Sequence, residues 1–180
     1  MKLKVIGSTA IKRELYYAAA YSLQNVALCF FEPDAKPEEI QREIDADSDC
    51  DFIVLALGED AAEGLVCNGK PIAVARIHNS AQLVLGSRRR FGDIFCENED
   101  SPCWLDCYGN FPRNIRGVPC YVGGILPKPP LPVGTREYIA DLGFLSSLLN
   151  GDWDNDEVFI LKSGERIVKD ALVILDSEAI

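Results

Sequence analysis

At 180 residues and 19.8 kDa, with 48% hydrophobic and 26% charged residues, the chain has an ordinary globular composition. Its length favours one domain and allows roughly 70% of the unfolded surface to be buried, so no disulfide or metal staple is required. A net charge of −10 and a sequence pI near 4.6 exclude a general nucleic-acid binder, whose phosphate contacts need a basic stripe. The longest apolar stretches, such as Phe52 to Leu57, fall far short of the ~20 residues that span a bilayer, so no membrane partner is expected.

The opening Met1-Lys-Leu-Lys-Val-Ile-Gly7 does not read as an export signal, because its apolar run stops after two residues and charge returns at Lys12 and Arg13. Seven cysteines in such a chain are read as reduced thiols, and the odd number argues against a complete disulfide framework. The expected location is the cytoplasm.

The first half alternates. Lys2 to Ile6 reads as a strand, and an amphipathic helix follows from about Ile11, with apolar residues at Ile11, Leu15, Ala19 and Leu23. Asn25 to Phe31 is a second apolar strand. Pro37, suited to a first helical position, opens a helix carrying Ile40 and Ile44. Phe52-Ile-Val-Leu-Ala-Leu-Gly58 is an apolar run ending in glycine, as buried parallel strands do. Pro71 to Arg76 is a fourth strand, and a helix from about Ser80 to Phe91 follows, capped by Asn79 or Ser80. This alternation predicts an α/β fold: a doubly wound, mostly parallel sheet with helices on both faces, Rossmann-like and three-layered.

Residues 101–132 break the rhythm, for seven of the ten prolines and three cysteines lie there. An irregular stretch of that length inside a compact domain is functional or a wrapping segment. A helix from about Thr135 to Leu149 is expected next. The end reads as a hairpin in which Glu157–Leu161 and Arg166–Leu175 flank a Ser163-Gly164 turn. The whole of 1–180 is read as one domain.

In a parallel α/β sheet, ligands bind outside the carboxyl ends of the strands. That rule selects Gly7, Ser8 and Thr9 after the first strand, and Gly58, Glu59 and Asp60 after the third. After the fourth it selects Arg76, His78, Asn79 and Ser80. The same small polar residues also suit plain helix capping, and both readings stand at this point. His78 is the sole histidine, either a hydrogen-bonded structural residue or an acid–base group beside the carboxylates. No Ser-His-Asp or Cys-His triad, dinucleotide fingerprint or phosphate loop is present.

Cys103-Trp-Leu-Asp-Cys107 is a C-x3-C pair flanked by Cys96 and Cys120. A structural zinc site normally draws its four ligands from two such pairs, so free buried thiols are the expectation here. Arg88, Arg89 and Arg90 fall in the last turn of the expected helix, where cations complement the dipole; an anion or partner contact of these arginines is the other reading.

The series Arg76-Ile-His78-Asn79-Ser80, Leu85-Gly-Ser-Arg88, Ser101-Pro-Cys-Trp104 and Gly151-Asp-Trp153-Asp154 resembles a prokaryotic family of unassigned function, called domain of unknown function 1638. The likeness runs from about residue 3 to residue 168, and His78 to Arg88 is its most specific part. The resemblance implies cysteines at the end of the first strand, after the third strand, and two residues after the histidine. It also implies a link to corrinoid-dependent methyl transfer, beside whose systems such proteins are often encoded. This chain has Ser8 at the first position, Asp60 or Ala61 at the second, and Ser80 at the third. Hard oxygens thus stand where soft thiolates would, which changes or removes the metal such a site could hold.

The leading expectation is a protein that binds a small molecule, metal or protein partner at its strand-end edge through Ser8, Glu59, Asp60, His78, Asn79, Ser80 and Arg88. A metal there would fall to His78 and Asp60. A second expectation is an enzyme or accessory of methyl transfer using His78 with Glu59 or Asp60. A third is an interaction protein acting through 101–132. The sequence names no cofactor and leaves a homo-oligomer open.

Overall fold

In a computed structural model, the described residues are 1–46, 48–86, 88–97, 103–105, 117–124, 127–168 and 173–176. Of these, the side chains of Asp60, Arg88, residues 95–97, 103–105 and 173–176 lie outside the description. The elements run β1 Lys2–Ser8, α1 Lys12–Ala20, β2 Asn25–Phe31, α2 Pro37–Asp45, β3 Phe52–Ala56, α3 Glu59–Ala62, β4 Ile72–Ala75 and α4 Ala81–Val84. They continue with α5 Arg88–Glu97, β5 Cys103–Leu105, β6 Pro119–Gly123, β7 Arg136–Ile139, α6 Gly143–Leu149, β8 Val158–Leu161, β9 Glu165–Val168 and β10 Val173–Asp176. Among the described residues no helix is long and apolar enough to cross a membrane.

The main sheet has the order β2-β1-β3-β4-β8, with the first four strands parallel and β8 antiparallel to β4. In this register Val5 stands opposite Leu28 on one side and Val54 on the other. Because successive strand residues point to opposite faces, each buried strand feeds two cores. Leu3, Val5, Val54, Ala73 and Ala75 pack under α1 and α6, against Leu15, Ala18, Leu145, Leu148 and Leu149. Ile6, Ile53, Leu55, Ile72 and Val74 pack on the other face with Ile40 and Ile44 of α2, together with Ala62 and Leu65. The expected doubly wound, three-layer α/β arrangement is therefore present.

Local chemistry explains several elements. Pro37 opens α2, and Glu39 reaches back to accept from the Lys36 amide at 3.1 Å. Lys4 would be a buried charge on the α2 face of β1, but its ammonium meets the Glu43 carboxylate at 2.5 Å and donates to the Glu43 carbonyl at 2.8 Å. That pair ties α2 to the sheet.

Four expectations are corrected. The helix expected over Ser80–Phe91 is broken into α4 and α5 at Gly86, whose φ of +97° is left-handed and stops the first helix. Arg88, Arg89 and Arg90 consequently begin α5 and do not end a helix. Arg90 instead donates to the Leu85 carbonyl just past α4 (3.1 Å) and to the Ile139 carbonyl (2.8 Å). The helix expected from Thr135 starts only at Gly143, because Arg136–Ile139 forms β7, parallel to β6 beside β5. Ile139, which falls within that expected helix, is 82% exposed, and Leu23, placed on the apolar stripe of the first helix, is 92% exposed and lies beyond the end of α1.

The terminal hairpin also differs. The turn at Ser163-Gly164 forms, but the two strands it joins part company. β8 takes the open edge of β4, whose ladder suits its apolar residues. β9 lies along Leu65–Cys67, with Cys67 N–H donating to Glu165 O (3.0 Å) and Ile167 N–H to Leu65 O (3.0 Å). The long strand expected to Leu175 turns back on itself as an antiparallel β9–β10 pair.

Candidate functional site

The carboxyl ends of β1, β3 and β4 lie side by side, as the parallel register requires. At the end of β1, the Ser8 hydroxyl accepts from the Ala10 amide at 3.1 Å and caps a short 3-10 turn over Thr9–Ile11. At the end of β4, the Asn79 side chain accepts from the Ala81 amide at 3.0 Å, opening α4. Capping is thus real at both residues, and Ser80 makes no side-chain cap bond. A residue can cap and still face a ligand, so capping does not remove it from the edge.

Between these ends lies a cleft of about 180 Å³. Ser8, Gly58, Ala61, Asn79 and Ser80 line it from three strand ends, and Phe31, Glu32, Ala35 and Ile40 close it from the β2–α2 side. Among the described residues its floor is apolar and its rim carries hydroxyls, an amide and one carboxylate.

Gly58 fixes the fit between the β3 and β4 ends. A Cβ there would stand 2.5 Å from the His78 carbonyl oxygen, which only glycine avoids. The next amide, Glu59 N–H, is shared between the carbonyls of Ile77 (3.0 Å) and His78 (3.1 Å). The two ends are thus joined backbone to backbone.

Glu59 and His78 form the charged part of the edge. His78 Nδ1 lies 2.6 Å from Glu59 Oε2, with the histidine side chain 52% exposed and the glutamate side chain 11% exposed. A carboxylate beside Nδ1 can accept a hydrogen bond from the ring tautomer that carries its proton there, and in that tautomer Nε2 is the free lone-pair nitrogen. The His78 backbone amide donates to Oε1 of Gln82 at 2.8 Å, and Gln82 is itself buried. Of the two acidic partners considered for His78, Glu59 is brought to it. The Asp60 and Arg88 side chains fall outside the described residues, as do Cys107 and the side chains of Cys96 and Cys103. Among the described residues, no group of three or more His, Cys, Asp and Glu side chains gathers as a metal site would require.

The remaining described thiols sit away from this edge. Cys29, Cys50 and Cys67 are free thiols, and burial pushes the Cys29 and Cys67 thiols above their ordinary value. The Cys67 thiol donates to the Lys70 carbonyl at 3.1 Å, and that of Cys120 to the Val118 carbonyl at 3.4 Å.

Two residues of the edge were missed by the strand-end rule as applied to the sequence. Glu32 follows β2 directly, so extending the rule to the second strand finds it. Gln82 is signalled only by being a polar residue within the apolar run Ala81 to Leu85. No family model, curated protein or solved structure matches the chain.

Proposed function

We propose that this protein binds a small ligand in the cleft at the carboxyl ends of β1, β3 and β4. The observation that carries the reading is that Ser8, Gly58, Asn79 and Ser80, from three different strand ends, line one cleft. Open α/β sheets bind ligands at this edge because strand ends and loop polar groups converge there. A mixture of small polar fragments, followed by amide NMR shifts, tests it. Saturable shifts should centre on Ser8, Gly58, Asn79 and Ser80, and Ala35→Trp, which fills the cleft, should abolish them. Shifts centred elsewhere, or unchanged in the variant, would sink the reading.

A second reading is acid–base chemistry by the His78–Glu59 pair, favoured by the 2.6 Å contact and the half-exposed ring. A histidine oriented by a buried carboxylate is a general base with its outer nitrogen turned to solvent or substrate. The link to methyl transfer suggested by resemblance would use this pair. It is tested by assaying corrinoid-dependent methyl transfer with and without the protein, and with His78→Gln. Equal rates in all three would dispose of it.

A further inference from the structure

We infer that the strand-end cleft selects a small organic ammonium ion and rejects phosphates and carboxylates, an inference that rests on the cleft being the ligand site. The ordinary ligand of such an edge is an anion, held by the free amides that open the following helices. Here those amides are already bonded within the chain. Ala10 N–H donates to Ser8 Oγ at 3.1 Å, and Ala81 N–H to Asn79 Oδ1 at 3.0 Å. Glu59 N–H is shared between the carbonyls of Ile77 and His78. An anion would have to displace these bonds before gaining any of its own.

Among the described residues the lining supplies no cation in compensation. None of its residues is lysine, arginine or histidine, and Glu32 is the charged group among them. Thr9 Oγ1 donates to Glu32 Oε2 at 3.0 Å, which orients the carboxylate at the end of β2. Lys36 and Arg42 border the adjoining groove, which Glu32 shares with Asp34, Glu39 and Glu43, so the wider surroundings remain mostly acidic. A charged ligand entering the cleft therefore meets a negative potential, and the apolar floor of Phe31, Ile40 and Leu57 accepts a short hydrocarbon. At about 180 Å³ the cleft suits a small ligand.

The probes are n-butylammonium, 1-butanol, butyrate and inorganic phosphate, each titrated into the full chain and followed by amide NMR. Butylammonium should give saturable shifts at Ser8, Gly58, Asn79 and Ser80, while butyrate and phosphate give none. Its apparent Kd should be at least tenfold lower than that of 1-butanol. Glu32→Gln, which keeps an acceptor for Thr9, should raise the butylammonium Kd about tenfold and leave 1-butanol unchanged. Saturable binding of butyrate or phosphate at those four residues would overturn the ammonium preference while leaving the cleft as a ligand site. Equal binding of butylammonium by wild type and Glu32→Gln would overturn it too, as would failure of butylammonium to bind. In that last case the fragment mixture and Ala35→Trp decide separately whether the cleft binds anything.

Discussion

A methyl group added to Gly58 would stand 2.6 Å from the Cα of Asn79. Both that atom and the His78 oxygen beside it are backbone, so no rotamer change relieves the contact. Gly58→Ala is expected to cost about 1–3 kcal/mol, because the β3 and β4 ends must move apart. Gly69→Ala, with nothing within 4 Å of its added carbon, is the control and should stay within about 0.5 kcal/mol. Thermal melts of the two variants check this; equal melting temperatures would show that the close approach is not rigid.

The His78–Glu59 pair should show itself in the histidine ring. In the neutral form the proton is expected on Nδ1, facing Glu59 Oε2 at 2.6 Å. Ring nitrogen NMR of the wild type should report that tautomer, and Glu59→Ala should shift the balance toward Nε2–H. Because the ring is half exposed, His78→Ala should lower stability by no more than about 1 kcal/mol. A larger loss in an urea melt would identify the histidine as a scaffold residue.

Thiol chemistry should separate the buried from the half-buried cysteines. Burial comes first among the causes that raise both Cys67 and Cys29, with nearby carboxylates adding to it. Native alkylation by iodoacetamide at about pH 8 should be slower at both than in unfolded protein, and slowest at Cys67, which is fully buried. The sign of the linkage follows. The folded chain keeps the Cys67 proton above pH 9.0, where the unfolded chain loses it, so this thiol's contribution declines as pH rises past 9.0. Mass spectrometry after timed alkylation gives the order of reaction directly.

At acid pH the Lys2–Asp49 pair should matter. A hydrogen bond from Lys2, reinforced by its charge, holds the Asp49 carboxyl below its ordinary value of 3.8. Its contribution is present above 3.8 and is lost as pH falls through the lower folded value. Asp49→Asn should therefore differ from wild type at neutral pH, converge with it as pH falls through the lowered folded value, and show less salt dependence. Both side chains are exposed, so the difference should be small. Calorimetry between pH 7 and 2 would test the convergence.

The strands of the main sheet were legible because their hydrophobic runs are long and flanked by turn residues. Phe52 to Gly58 reads correctly in isolation. The helices after residue 80 were not, because periodicity carries no information about a left-handed residue such as Gly86, and Ile139 fits a helical stripe as well as a strand. The partner of β8 was hidden for a different reason. A strand beside a tight turn looks like half of a hairpin, and only the distant vacancy next to β4 redirects it. At the site, strand ends gave Ser8, Asn79 and Ser80, whereas the 2.6 Å pairing of Glu59 with His78 depends on the register of β3 against β4.

The placement of β8 bears on how the chain is made. The Ser22 hydroxyl donates to the carbonyl of Leu149, 127 positions later, and β4 finds its outer neighbour only in Val158–Leu161. During synthesis the apolar β4 would wait with one flank bare until those late residues emerged. Contacts of such long range close slowly, and an open apolar edge is prone to wrong pairing while it waits. The early parallel strands of this protein thus have an open flank on β4 until residue 161 has left the ribosome.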